Sequence, residues 1–126
     1  MKLLCLLLLL VVLACGCGGN SGHLYSLEKT SACLRQDGVQ LGRPVGDFIA
    51  STSTGGSTQA HFDSNFVTLV FSEDVDKADN INQIYHRVRA KNVGIEDVLR
   101  QDQNVVMLWH SHPSDADLAR ITACLK

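Results

Sequence analysis

Residues 66–94, FVTLVFSEDVDKADNINQIYHRVRAKNVG, contain the change of period on which the fold turns. From Phe66 to Ser72 the side chains alternate. Val67, Leu69 and Phe71 fall on one apolar face and Thr68 and Ser72 on a wetter one, which predicts a strand. After Ser72 the spacing lengthens. Val75, Ala78, Ile81 or Asn82, Tyr85 and Val88 recur at helical intervals, with Ile84 beside them, as on one face of an α-helix. Acidic residues stand in its first turn and Arg87, Arg89 and Lys91 in its last, matching the helix dipole, and Asn92 to Gly94 end it.

Working outward, Ile95–Leu99 and Val105–His110 flank the polar turn Gln101-Asp102-Gln103-Asn104 and predict a hairpin. Pro113-Ser114 opens a last helix. Its Ser114-x-x-Asp117 is a capping-box-like start, and Leu118, Ile121 and Leu125 are its buried stripe. Upstream, residues 47–72 are rich in β-branched side chains and carry Gly55-Gly56 between two polar runs. They predict a hairpin turning at that pair, or a mobile loop on a short hairpin. Val39–Leu41 begins a short extended piece. Before it, Ser26 caps a helix to about Gln36, with Leu27, Ser31 and Leu34 on one side and Gly38 at its C′ position. The order helix, strands, helix, strands, helix predicts an α+β two-layer sandwich of an antiparallel sheet and about three helices. Its αββαββ order is what a circular permutation of the ferredoxin-like fold would give.

The chain starts with Lys2 and an apolar stretch of 11 residues, Leu3 to Leu13. That is too short to span a bilayer, which takes about 20 apolar residues, and has the length of a secretory signal. Val12-Leu13-Ala14-Cys15 resembles the lipobox of bacterial lipoproteins, whose cysteine becomes the lipidated first residue; Cys17 is a second candidate. The implied organisation is a signal peptide over 1–14, a lipid-anchored flexible tether over 15–23 and one domain over 24–126. Of the five cysteines, Cys33 and Cys124 belong to that domain, each beside a leucine on a helix. In an exported protein they point to a disulfide, two buried free thiols being the other reading, and there is no CxxC for redox chemistry. Formal net charge is −2, with basic and acidic residues interspersed, so no nucleic-acid surface is indicated.

His110 and His112 stand two apart at the end of VVMLWHSHPSD, residues 105–115. On a strand that spacing turns both imidazoles the same way, which suits one zinc ion. VVMLWHSHP is similar to the strand-end His-Ser/Thr-His-Pro of the JAMM (MPN) metallopeptidases, where it supplies two zinc ligands. In that family an aspartate of a later Ser-x-x-Asp is the third ligand and an upstream glutamate the base. The family spacing falls on Arg120 and Ala123 here, and Ser114-Asp115-Ala116-Asp117 comes far earlier. Asp115, Asp117 or the His61/Asp63 pair would have to complete the site, with Glu73 or Glu96 as base. We read the pair as a strand end, with Pro113 and Ser114 turning the chain into a capped helix.

Other candidates are weaker. Thr52–Thr58 lacks the lysine of a phosphate-binding loop, and no serine sits in a G-x-S-x-G pattern. His86 and Tyr85 read as packing or surface, His23 as tether, and 91–97 as a helix end or a partner-facing loop. The functional expectation is an exported, lipid-anchored cell-envelope protein that reaches the membrane through its N-terminal lipid. Its domain is expected to be a non-enzymatic module that binds a protein or small molecule or has a structural role, with no cofactor and no nucleic acid. A zinc-dependent hydrolase or metal-binding protein using His110 and His112 is the alternative. If the lipobox reading holds, Cys15→Ala abolishes incorporation of a radiolabelled fatty acid; retained label would move the lipid to Cys17 or another route.

Overall fold

The elements follow in the order α1 (Leu27–Gln36), β1 (Gln40–Gly42), α2 (Phe48–Ser51), β2 (Ser57–His61), β3 (Phe66–Phe71), α3 (Val75–Arg89), α4 (Ile95–Val98), β4 (Leu99–Asp102), β5 (Val105–Trp109) and α5 (Asp115–Cys124). The structure is a computed structural model whose described residues are 23–89 and 94–126. The signal over 1–14 and residues 15–22 of the tether, with Cys15 and Cys17, lie outside the described residues, as do Lys91 and Asn92. Among the described residues no helix is long and apolar enough to cross a membrane.

The fold is α+β, with one antiparallel five-stranded sheet in the order β1-β2-β3-β5-β4. At its centre β3 and β5 pair from Val67↔Trp109 to Phe71↔Val105. Side chains on the two strands alternate between two separate apolar clusters. Val67, Leu69, Phe71, Val105, Met107 and Trp109 join Leu34 of α1 and Ile121 and Cys124 of α5. Val70, Val106 and Leu108 join Ala78 and Tyr85 of α3. Helices therefore cover both faces of the sheet, and the expected two-layer arrangement is corrected to three layers. The reason is in the strand composition: FVTLVF and VVMLW are nearly continuous apolar runs, the mark of strands buried on both sides. Thr68 and Ser72, expected on a wet face, are 4% and 5% exposed.

The strand order β2-β3-β5-β4 is the one a permuted ferredoxin-like fold would have. That fold sets its two helices on one face, whereas α1 and α3 lie on opposite faces, so the resemblance stops at the strands. The predicted turn at Gly55-Gly56 is also corrected. The β2–β3 hairpin turns at 62–65, closed by Phe62 N–H donating to the Asn65 carbonyl at 2.8 Å. Gly55 and Gly56 instead lead α2 into β2. A Cβ at Gly55 would overlap the backbone of Phe71 and Ser72, and Gly56 has φ +81°, so this passage needs glycine.

Both predicted helix starts form as read. Ser26 Oγ accepts from Lys29 N–H, and Ser114 Oγ accepts from Asp117 N–H at 3.1 Å. Cys33 and Cys124 stand at disulfide distance, with 5.4 Å between their Cα atoms and a sequence separation of 91. A crosslink over such a span restricts the unfolded chain by roughly 4–5 kcal/mol at most. The N-terminal segment is held by Asn104 of the β4–β5 turn, 1% exposed. Its Oδ1 accepts from Tyr25 N–H at 2.7 Å, and its Nδ2 donates to the carbonyls of Tyr25 and Ser72, both at 2.9 Å. Asn104→Ala leaves three backbone groups without their partner, and chemical denaturation should show a loss of roughly 2–4 kcal/mol. A loss below 1 kcal/mol would mean that water replaces the amide.

Candidate functional site

At the end of the sheet where β2 turns into β3, the face that carries α3 is uncovered. Gln59 and Phe66 are half-buried there, and His61 and His110 are exposed. The rings of His61, Phe66 and His110 stand in a row across β2, β3 and the end of β5. Their centroids are 5.8 Å apart for His61–Phe66 and 4.5 Å for Phe66–His110, the second pair stacked with 19° between planes. Beside this row, Gln59 Nε2 donates to Thr68 Oγ1 at 3.3 Å. The space above is a cleft of about 680 Å³, walled by Val45 and Asp47 near α2, Arg89 of α3, and residues of α4. That is within the range of small-molecule sites, about 300–1,000 Å³.

Asn65 fixes the segment 110–112 that forms one rim. It is 7% exposed, and its side chain is shared between the β2–β3 turn and the chain leaving β5. Its Oδ1 accepts from Phe66 N–H at 2.9 Å and Ser111 N–H at 3.1 Å, while its Nδ2 donates to the Ser111 carbonyl at 3.0 Å. The ladder itself closes with His110 N–H donating to the Phe66 carbonyl at 2.9 Å. The histidine pair thus begins where the strand ends, and its two rings take different partners. His110 stacks on Phe66, and His112 Nδ1 lies 2.7 Å from Asp97 Oδ1. Asp97 belongs to α4, a single turn that starts from Gly94 in the left-handed region (φ +48°). The neighbouring Glu96 reaches back to His86 Nδ1 of α3 at 3.3 Å. Two adjacent carboxylates on one turn therefore hold two histidines from different elements, which braces α4 between α3 and the rim.

The opposite wall is built on a buried acid. Asp47, 8% exposed, caps α2 by accepting from Ala50 N–H at 3.0 Å through Oδ1. Its Oδ2 accepts from the Tyr85 hydroxyl at 2.7 Å. Burial first, and then the Asp47 carboxylate, hold the Tyr85 hydroxyl far above the ordinary tyrosine range. Arg89 approaches Asp47 Oδ2 only to 3.9 Å, an ion pair without a hydrogen bond.

The remaining predicted ligands are dispersed. His61, Asp63 and Asp117 line a separate, smaller cleft of about 370 Å³ together with Arg120. Asp115 is at the start of α5, and Glu73 pairs with Lys77 at the start of α3. Among the described residues no three His, Cys, Asp or Glu side chains converge as metal ligands. Of the residues that build the site, Asn65 and Asp47 are not among the predicted candidates, while Arg89 enters the sequence only as a helix-end charge and Asp97 only within the loop 91–97. Asp47 did carry a signal, since an acid directly before Phe48-Ile49-Ala50 is a helix cap.

Tyr85 gives the site a measurable pH dependence. Its folded pKa is raised above that of the unfolded chain, so the stability it contributes is complete below about pH 10 and declines above it, as the unfolded chain loses a proton the folded one keeps. Tyr25, raised by burial and by Asp102, adds to the same decline. Tyr85→Phe should lower stability at pH 7 by about 1–3 kcal/mol and flatten the alkaline fall in denaturation midpoint. An unchanged alkaline slope would detach Tyr85 from Asp47. No family model, curated protein or solved structure matches this chain.

Proposed function

We propose that the chain is an exported, lipid-anchored module of the cell envelope that binds a small molecule, or a short segment of a partner, in the cleft beside Phe66. Its leader supports the location: a short apolar stretch ends in Val12-Leu13-Ala14-Cys15, the wording of a lipidation site. The observation that carries the binding role is the open end of a sheet whose centre is buried on both faces. There the stacked pair Phe66 and His110 faces a cleft whose rims are fixed by Asn65 and by the Asp97–His112 contact. Half-buried apolar surface with a few convergent polar groups is the usual make-up of a ligand site.

Two measurements on the full-length chain, purified in neutral detergent, test this. Isotope-labelled protein titrated with a set of small aromatic and aliphatic fragments should show amide shifts concentrated at Gln59, Thr68, Leu108 and Ser111. Shifts confined to α1 and α5, or none, would contradict the proposal. Metal content of the same sample after dialysis decides the alternative. Stoichiometric zinc that is lost in both His110→Ala and His112→Ala would replace the binding module with a zinc-dependent activity at those histidines.

A further inference from the structure

The charged groups that line the cleft differ in how far they are already engaged. Its acids are committed internally. Asp47 accepts from the α2 backbone and from Tyr85, and Asp97 is engaged by His112. Its donors are not. Arg89 is the only arginine or lysine lining the cleft among the described residues, and its side chain is half-exposed. It donates no hydrogen bond to any described residue, and its single ion-pair contact is the 3.9 Å approach to Asp47. Arg87, Arg100 and Arg120 each donate to a carbonyl or carboxylate, whereas Arg35 and Arg43, which also donate to no described residue, do not line the cleft. His110, at the same cleft, presents a ring whose contact is with Phe66, not with an acceptor. Asp47 does not satisfy Arg89, because its oxygens already have better-placed donors and the acid lies 92% buried in the wall. A planar guanidinium whose N–H groups have no hydrogen-bond partner among the described residues, in one cleft with an apolar ring, suits a carboxylate attached to an apolar group.

Resting on the reading of this cleft as the ligand site, we propose that it takes a small carboxylate ligand. Arg89 receives the carboxylate, and the row at Phe66 and His110 receives the apolar part. Asp47 and Tyr85 are positioning residues here: they hold the wall from which Arg89 extends, and the contact with the ligand is made by Arg89.

The test compares N-acetyl-L-phenylalanine, its uncharged amide and phenyl phosphate, each titrated at pH 7 into the isotope-labelled full-length chain. The carboxylate should bind about tenfold or more tightly than the amide, with amide shifts at Thr68, Leu108 and Ser111. Arg89→Gln should abolish that preference. Arg89→Lys, which keeps a cation opposite Asp47 but loses the planar fork, should restore only part of it, and both variants should keep the wild-type spectrum elsewhere. Equal binding of carboxylate and amide at the same amides would overturn the anion assignment while leaving a binding cleft. Tighter binding of phenyl phosphate would overturn the carboxylate class in favour of a phosphate ligand. No shift at these amides with any of the three would overturn this inference, and if the wider fragment set also fails there, the cleft loses its binding role.

Discussion

The pairing of β3 with β5 is the constraint on which the other elements depend. Every residue of β5, and all of β3 but Phe66, is buried, and the two strands feed separate clusters on their two faces. Such a pair has no side that tolerates water, so helices must arrive on both. On one face α1 and α5 do this together, joined by the cysteines at their ends. On the other, α3 does it with only short α2 and α4 beside it, and nothing covalent among the described residues holds it there. Polar contacts fix its position instead: Tyr85 to Asp47 on one flank and His86 to Glu96 on the other. Burying side chains such as Phe71, Leu34 and Ile121 on one face and Val70 and Val106 on the other contributes about 1.5–3 kcal/mol each.

Where the second cover stops, the cleft begins. The residues facing it belong to the same alternation as Val70 and Val106, moved toward the strand ends: Phe66 and Thr68 on β3, Leu108 on β5, then His110. A site on rigid strands keeps its geometry better than one on loops, and only the segment 110–112 needs a separate anchor, which Asn65 supplies. The polar residues around the cleft thus serve the fold and the site together. Removing one moves a wall as well as a functional group.

Much of this architecture was legible in the chain. The alternation at 66–72, the helical spacing from Val75 to Tyr85 and the serine caps at 26 and 114 fix the type and order of the main elements. The number of layers is legible too, since the near-continuous apolar runs of β3 and β5 point to two buried faces, but Thr68 and Ser72 point wrongly to a wet one. Threonine is β-branched and packs well in a buried strand when its hydroxyl finds a partner, as it does here with Gln59. The β2–β3 turn was misplaced because a glycine pair usually marks a turn; here it marks a close passage by the end of β3. The site was the least legible part. Asp47 and Tyr85 are 38 residues apart, and Asn65 and Ser111 46, and nothing local in the sequence brings such pairs together. The histidines were conspicuous in sequence, yet their partners, Phe66 and Asp97, are what give them a place in the cleft.

The two-sided burial of the central strands is tested most directly by a methyl and aromatic nuclear Overhauser spectrum of the oxidised protein. It should link the Ala78 methyl and the Tyr85 ring to Val70 and Val106, and link Leu34 and Ile121 to Val67 and Leu69, with no connection between the two groups of helices. Contacts from Ala78 or Tyr85 to Leu34 or Ile121 would put the helices on one face, close the space above Phe66, and contradict both the fold and the site built on it.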